Sequence, residues 1–258
     1  MKRNLLLLWT ALIALSGCVT ETTIIGKNSV KQENSIDNAA AAKTRIQLGM
    51  GYLNNGQMAP AKYNFEKGIE LDPDSAEPYL ALAYYYQAVG DKSSAQRTYE
   101  KLLSSHGNNP DVLNNYGAFL CRNLNYSEAD KMFMRAIAQP HYLKMDDSYE
   151  NAGICALKSG KKEKAQEYYK LALGYNPHKV RLLLDLAEMA LDANKPADAE
   201  LWLSSYRKKA NDTPQSLWLS IRTAQAQGRI ADTHLFGQTL VTQFPSSTQA
   251  KRYQNNDY

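Results

Sequence analysis

A helical hairpin pattern recurs about every 34 residues between residues 42 and 177, and this period constrains the fold more than any other feature. In each copy a small residue stands twelve positions before an alanine, and an aromatic residue stands four positions after it. The four sets are Gly49, Ala61 and Phe65; Ala83, Ala95 and Tyr99; Gly117, Ala129 and Phe133; and Gly153, Ala165 and Tyr169. Two short antiparallel helices cannot bury their apolar faces alone, so a repeat of this length predicts stacked hairpins that share one core.

These residues resemble the tetratricopeptide repeat, in which small residues let paired helices approach and aromatic residues fill the space between layers. Gly56, Gly90 and Gly160 fall at the predicted turns, where a left-handed residue is often needed. The spacing continues with declining quality through a fifth and a sixth copy. The prediction is an all-α, right-handed superhelix of about six hairpins over residues 39–248, without a sheet, followed by a polar tail at 249–258 that frays.

The first 38 residues predict export and lipid anchoring. Residues 1–17 have a basic start and a short apolar run, as in a secretory signal peptide, and end in a Leu-Ser-Gly-Cys sequence that resembles the lipobox of bacterial lipoproteins. That resemblance implies acylation of Cys18, with residues 18–38 as a flexible tether. The residue after Cys18 is Val19 rather than an aspartate, which by the same resemblance implies the outer membrane, facing the periplasm. An ordinary signal peptide with a chance cysteine is the alternative.

Composition and motifs argue against an enzyme or a nucleic-acid binder. The formal net charge is +4, and removal of the signal peptide would also remove Lys2 and Arg3, leaving about +2, without the clustered basic residues that nucleic acid requires. The four histidines lie near repeat ends with no metal-like partner at i+4: His106, His141, His178 and His234. No nucleophile and base pair stands out. We therefore expect no catalytic residues, metal, cofactor or small-molecule substrate.

Two helices that each contain a cysteine indicate a more specific function than the repeat alone. Residues 113–121 (LNNYGAFLC) and 149–156 (YENAGICA) resemble the corresponding helices of the type IV pilus biogenesis and stability lipoproteins, the pilotins of the pilus secretin. That resemblance implies that secretin subunits are the partners, and that the protein helps them to reach the outer membrane and to multimerise there. Two alternatives remain. One is a periplasmic adaptor lipoprotein that docks peptidases or cell-wall enzymes, and the other, less favoured, is a lipoprotein hydrolase.

Cys121 and Cys155 are predicted to form a disulfide. They fall at similar heights on the first helices of adjacent repeats, and the periplasm is oxidising. The alternative is that both are small buried apolar residues, which free cysteine imitates well.

The concave face, made by the first helix of each hairpin, is the predicted partner site. Counting along these helices predicts an apolar groove at the amino-terminal end, formed by Ile46, Met50, Leu53, Leu80 and Tyr84. The corresponding positions in later repeats are mostly charged, and comprise Arg122, Glu150, Lys158, Arg181, Glu188 and Arg222. The alternative is that a neighbouring helix or the tether covers the apolar residues.

Overall fold

The computed structural model describes residues 37–258, which form thirteen α-helices and no strand. The first twelve helices pair into six antiparallel hairpins, as the repeat predicts. They are α1 (Asn38–Asn54), α2 (Met58–Leu71), α3 (Ala76–Ala88), α4 (Lys92–His106), α5 (Pro110–Arg122), α6 (Tyr126–Ile137), α7 (Met145–Lys158), α8 (Lys162–Tyr175), α9 (Val180–Asp192), α10 (Pro196–Arg207), α11 (Pro214–Ala226) and α12 (Ile230–Gln243). The fold is a tetratricopeptide superhelix.

Close helix pairing depends on the small residue of each first helix. A methyl group added at Gly117 of α5 would stand 2.8 Å from a ring carbon of Phe133 in α6, and one at Gly49 of α1 would stand 2.6 Å from the ring of Phe65 in α2. Both aromatic side chains are fully buried. The small and aromatic positions are therefore one packing unit, because the ring occupies the space that a Cβ would need.

The turns between paired helices use left-handed backbone. Four of them place glycine there, with φ between 71° and 79° at Gly56, Gly90, Gly160 and Gly228. The third and fifth turns use Leu124 (φ 65°) and Asn194 (φ 55°). Asparagine tolerates this conformation, whereas leucine does so at a steric cost.

The carboxyl-terminal end differs from the predicted fraying tail. Residues Thr248–Gln254 form a thirteenth helix, α13, whose Ala250 is fully buried. Tyr253 of α13 covers Gly237 of α12, which stands where the earlier hairpins carry their large buried side chain. Because Gly237 has no side chain, it leaves a space in α12 that Tyr253 of α13 fills, and α13 covers the end of the array.

Candidate partner-binding groove

The five residues of the predicted amino-terminal groove differ in their exposure. Leu53 is only 7% exposed and packs in the core with Ala61 and Phe65, so its assignment to the groove is wrong. The physical reason is helical periodicity. Leu53 lies one turn after Gly49, on the same face of α1, and that face is turned toward α2.

Three more of the predicted groove residues are half-buried. Ile46, Met50 and Leu80 each pack partly against buried core residues. Tyr84 is 44% exposed, and it is the member of the predicted set that offers a large apolar surface. Most of the predicted apolar surface is therefore buried or half-buried, and a partner site at these residues stays a prediction.

A better-formed cleft lies in the fourth and fifth repeats, where α7 and α8 face α9. Its volume is about 360 Å³. The apolar part of its lining is Ile154, Leu157, Tyr169 and Met189, and the charged part is Glu150, Lys158, Lys162, Arg181, Asp185, Glu188 and Asp192. Ile154 is 38% exposed, so an apolar side chain near the middle of the cleft can be reached from outside. We refer to this set of residues as the α7–α9 cleft.

The two walls of the α7–α9 cleft differ in their predominant charge. Lys158 ends α7 and Lys162 begins α8, and neither forms an ion pair with the described residues. Across the cleft, Asp185, Glu188 and Asp192 follow one another along α9. Residues three and four positions apart on a helix share one face, so these three carboxylates lie on one wall, together with Arg181. The two lysines lie on the other wall, together with Glu150, whose carboxylate is paired with Lys179 at 2.6 Å.

Asp185 lies in an unusual environment for a carboxylate. Its side chain is 24% exposed, and its nearest cationic atom is Nε of Arg181, at 3.9 Å. Within residues 37–258 no side chain or backbone group donates a hydrogen bond to it. Burial raises the pKa of Asp185, and the nearby charge of Arg181 offsets only part of that rise. A half-buried carboxylate that accepts no hydrogen bond within the described residues can accept one from an incoming donor or cation.

Tyr169 lies against Gly153 beneath the cleft. Burial, followed by the nearby carboxylate of Asp185, raises the pKa of the Tyr169 hydroxyl to about 12. The hydroxyl is neutral at physiological pH, as an unshifted tyrosine would be, and can act as a hydrogen-bond donor at the base of the cleft.

A smaller cleft extends the groove into the third repeat. It shares Ile154 and Lys158 with the α7–α9 cleft and adds Ala118 and Arg122 of α5. Arg122 is exposed and, like Lys158, forms no ion pair with the described residues. The two clefts thus share residues and together form a continuous path along α5, α7 and α9.

Lys179 fixes the relative position of the fourth and fifth repeats. Its ammonium lies 2.6 Å from both Asp147 and Glu150 and 3.5 Å from Asp146, and its side chain is 17% exposed. Burial alone would lower the pKa of Lys179, but hydrogen bonds from Lys179 to Asp147 and Glu150 outweigh burial, so the pKa lies above its ordinary value. The network joins the start of α7 to the start of α9 and so supports both walls of the cleft.

Cys121, which lines the smaller cleft, and Cys155 are both buried, and their Cα atoms lie 5.7 Å apart. This separation is in the range that a disulfide requires. The geometry is compatible with the predicted bond between α5 and α7, and the bond itself stays a prediction.

The predictions for the amino-terminal segment lie outside the described residues. They comprise the signal peptide (1–17), the lipidated Cys18 and the tether up to residue 36. Among residues 37–258, no group of three or more histidine, cysteine or acidic side chains is arranged to hold a metal ion. Over the same range, no helix has the length and apolar character needed to cross a membrane.

The known proteins that resemble this chain have the same fold, and they indicate which family of repeat proteins it belongs to. Three models of the tetratricopeptide repeat match residues 42–75, 64–97 and 156–231. The type IV pilus assembly protein PilF of Pseudomonas aeruginosa is 30% identical over 242 residues, which cover 94% of each chain. An uncharacterized Haemophilus influenzae protein is 33% identical over 134 residues, covering 52% of this chain and 75% of its own.

Two solved structures extend the likeness to three dimensions. The Pseudomonas aeruginosa PilF structure superposes with a TM-score of 0.70 at 29% identity, covering 85% of this chain and 99% of PilF. The structure of PilW, described as a widely conserved type IV pilus biogenesis factor, gives a TM-score of 0.70 at 26% identity, covering 83% of this chain and 98% of PilW. The agreement spans nearly the whole array. This chain belongs to the tetratricopeptide-repeat family of type IV pilus assembly proteins.

Proposed function

We propose that the protein is an outer-membrane lipoprotein that acts as a pilotin for the type IV pilus secretin. It binds secretin subunits on its concave face and promotes their delivery to the outer membrane and their multimerisation. The single observation that carries this proposal is the similarity to PilF over 94% of each chain, because a shared repeat alone would fit many scaffolds.

The concave path along α5, α7 and α9 supports a binding role. Repeat superhelices bind extended or helical segments along this face, and here the path combines accessible apolar side chains with unpaired charges. Such a surface suits one protein segment better than a compact small molecule.

Site-specific photocrosslinking tests the binding face. A photoreactive amino acid at Ile154, inside the α7–α9 cleft, should crosslink to secretin subunits in cells. The matched control is the same amino acid at Glu167, which is exposed on α8 and outside the cleft. Equal crosslinking at both positions, or none at Ile154 in a functional variant, would contradict binding on the concave face.

The anchor is tested separately by Cys18→Ser. The buried core residues of the described array lie between Ala42 and Ala250, the first of them 24 positions after Cys18, so the variant should keep its helical circular dichroism. Secretin multimers in the outer membrane should fall, since soluble binding supplies no membrane affinity. Normal multimers at native expression levels would show that lipid-directed delivery is not the role of the protein.

A further inference from the structure

We infer that the α7–α9 cleft binds a polypeptide segment in which an apolar side chain lies between an acidic residue and a basic residue. The inference rests on the proposed function in that the segment would belong to the pilus partner. It goes beyond that function by placing a recognition site in the fourth and fifth repeats and by giving the chemistry that the site selects.

The apolar centre of the cleft sets the first requirement. Ile154 and Leu157 on α7 are both exposed, and Met189 on α9 faces them across the cleft. A volume of about 360 Å³ is at the lower end of ligand pockets and suits one or two side chains. An apolar side chain of the partner would therefore cover surface that is now in contact with water.

The basic wall sets the second requirement. Lys158 and Lys162 lie on one side without acidic partners among residues 37–258, and Arg122 continues this side into the third repeat. The carboxylate on the same side, Glu150, is already paired with Lys179 at 2.6 Å. An acidic residue next to the apolar side chain of the partner would meet these cations.

The acidic wall sets the third requirement. Asp185 has no hydrogen-bond donor within the described residues, and its one cationic neighbour, Arg181, is 3.9 Å away. Glu188 and Asp192 lie 3.9 Å and 3.6 Å from Arg222 and are about half exposed, so their charges are only partly compensated. A basic residue of the partner would pair with this wall and would supply the donors that Asp185 lacks.

Opposite walls also exclude other occupants. A uniformly acidic ligand, such as nucleic acid or an anionic membrane surface, would be attracted by the lysines but repelled by the α9 wall, which carries three carboxylates and one arginine, Arg181. A uniformly basic segment would be attracted by the carboxylates of α9 but repelled by the lysines. A segment with one charge of each sign satisfies both walls, so the cleft gains specificity by repulsion as well as by attraction.

Three labelled peptides test the inference on the full chain in detergent by fluorescence anisotropy. They share one glycine-serine frame and carry Glu-Leu-Lys, Lys-Leu-Lys or Glu-Leu-Glu at the centre. The Glu-Leu-Lys peptide should bind about five- to tenfold more tightly than either like-charged peptide, as expected for one exposed charge changed from attraction to repulsion. Equal affinities for the three peptides, or no saturation by about 1 mM Glu-Leu-Lys peptide, would overturn the inference.

Charge variants assign the effect to the cleft. Lys158→Glu should weaken Glu-Leu-Lys binding about five- to tenfold and should improve binding of the Lys-Leu-Lys peptide. Lys161→Glu makes the same change in net charge three residues away, outside the cleft, and should leave all three affinities unchanged. Equal effects of the two variants would mean that only the overall charge matters, which would also overturn the inference. Circular dichroism checks that each variant remains folded.

The peptides, the Lys158→Glu variant and deletion of the gene together separate this inference from the proposed function. If peptide binding follows the predicted charge pattern while Lys158→Glu leaves secretin multimers intact in cells, the cleft is real but serves another partner. If deletion of the gene abolishes multimers while peptides bind without charge preference, the pilotin role stands and the recognition site is elsewhere.

Discussion

Two glycines in α1 should respond in opposite directions to the same substitution. Gly49 faces Phe65, whose ring carbon would stand 2.6 Å from an added Cβ, whereas an added Cβ at Gly51 would meet no atom within 4 Å. Both glycines lie in the interior of the same helix, so alanine improves the helix propensity at each by about 1 kcal/mol. The difference in packing should therefore decide the sign.

The magnitude follows from the burial of Phe65. This side chain is fully buried and cannot swing into solvent, so the clash must be relieved by moving packed atoms, at a cost of about 2–3 kcal/mol. After the gain in propensity, Gly49→Ala should lower the free energy of unfolding by about 1–2 kcal/mol. Gly51→Ala should raise it by about 0.5–1 kcal/mol.

Urea unfolding of the full chain, followed by circular dichroism, measures both values. A second substitution, Phe65→Leu, when combined with Gly49→Ala, recreates the alanine and leucine pair that the fifth repeat already has in Ala187 and Leu203. The double variant should therefore be more stable than the sum of the single changes predicts. Equal effects of Gly49→Ala and Gly51→Ala would refute the account of helix packing given above.

Three further predictions concern the turns, the end of the array and the cysteines. Leu124→Gly should stabilise the protein by about 1 kcal/mol in the same assay, because a left-handed leucine is strained; a loss of stability would contradict this. Gly237→Ala should displace Tyr253 and open α13, so that its amides exchange hydrogen faster while α1–α10 keep their protection; unchanged exchange would contradict the packing. The free energy of unfolding of a Cys121→Ala/Cys155→Ala variant should be about 2–4 kcal/mol lower than that of the oxidised protein, as expected for a cross-link of sequence separation 34. Mass spectrometry that finds two free thiols in the native protein would exclude the bond.

The sequence predicts the six hairpins well because each depends on residues close together in the chain. The twelve-residue interval from Gly117 to Ala129, and the four further residues to Phe133, specify two helices and the contact between them. This local pattern can be recognised in a single sequence without an alignment, because the repeats of the chain can be compared with one another.

The candidate site could be predicted only in part because it depends on several helices at once. Counting along α1 places Leu53 near the concave face, but the neighbouring α2 buries it. Counting along α7 and α9 selects Lys158 and Glu188 as concave residues, but it does not show that the lysines of α7 and α8 face the carboxylates of α9 across a cleft.

The sequence pattern misses the end of the array for a related reason. A polar composition after residue 248 indicates a tail, whereas the deciding feature is the absence of a side chain at Gly237. Tyr253 stands sixteen residues later, the same interval that separates Gly49 from Phe65, and this spacing is the signal that could have indicated α13.

The most direct test of the pilotin role is the amount of secretin multimer in the outer membrane of cells with and without this protein. Membranes would be separated by density and the secretin quantified by immunoblot, with the deletion strain complemented by the wild-type gene as the control. The pilotin account predicts that deletion depletes multimers in the outer membrane, leaving monomers or inner-membrane multimers, and that complementation restores them. Unchanged outer-membrane multimers in the deletion strain would contradict it.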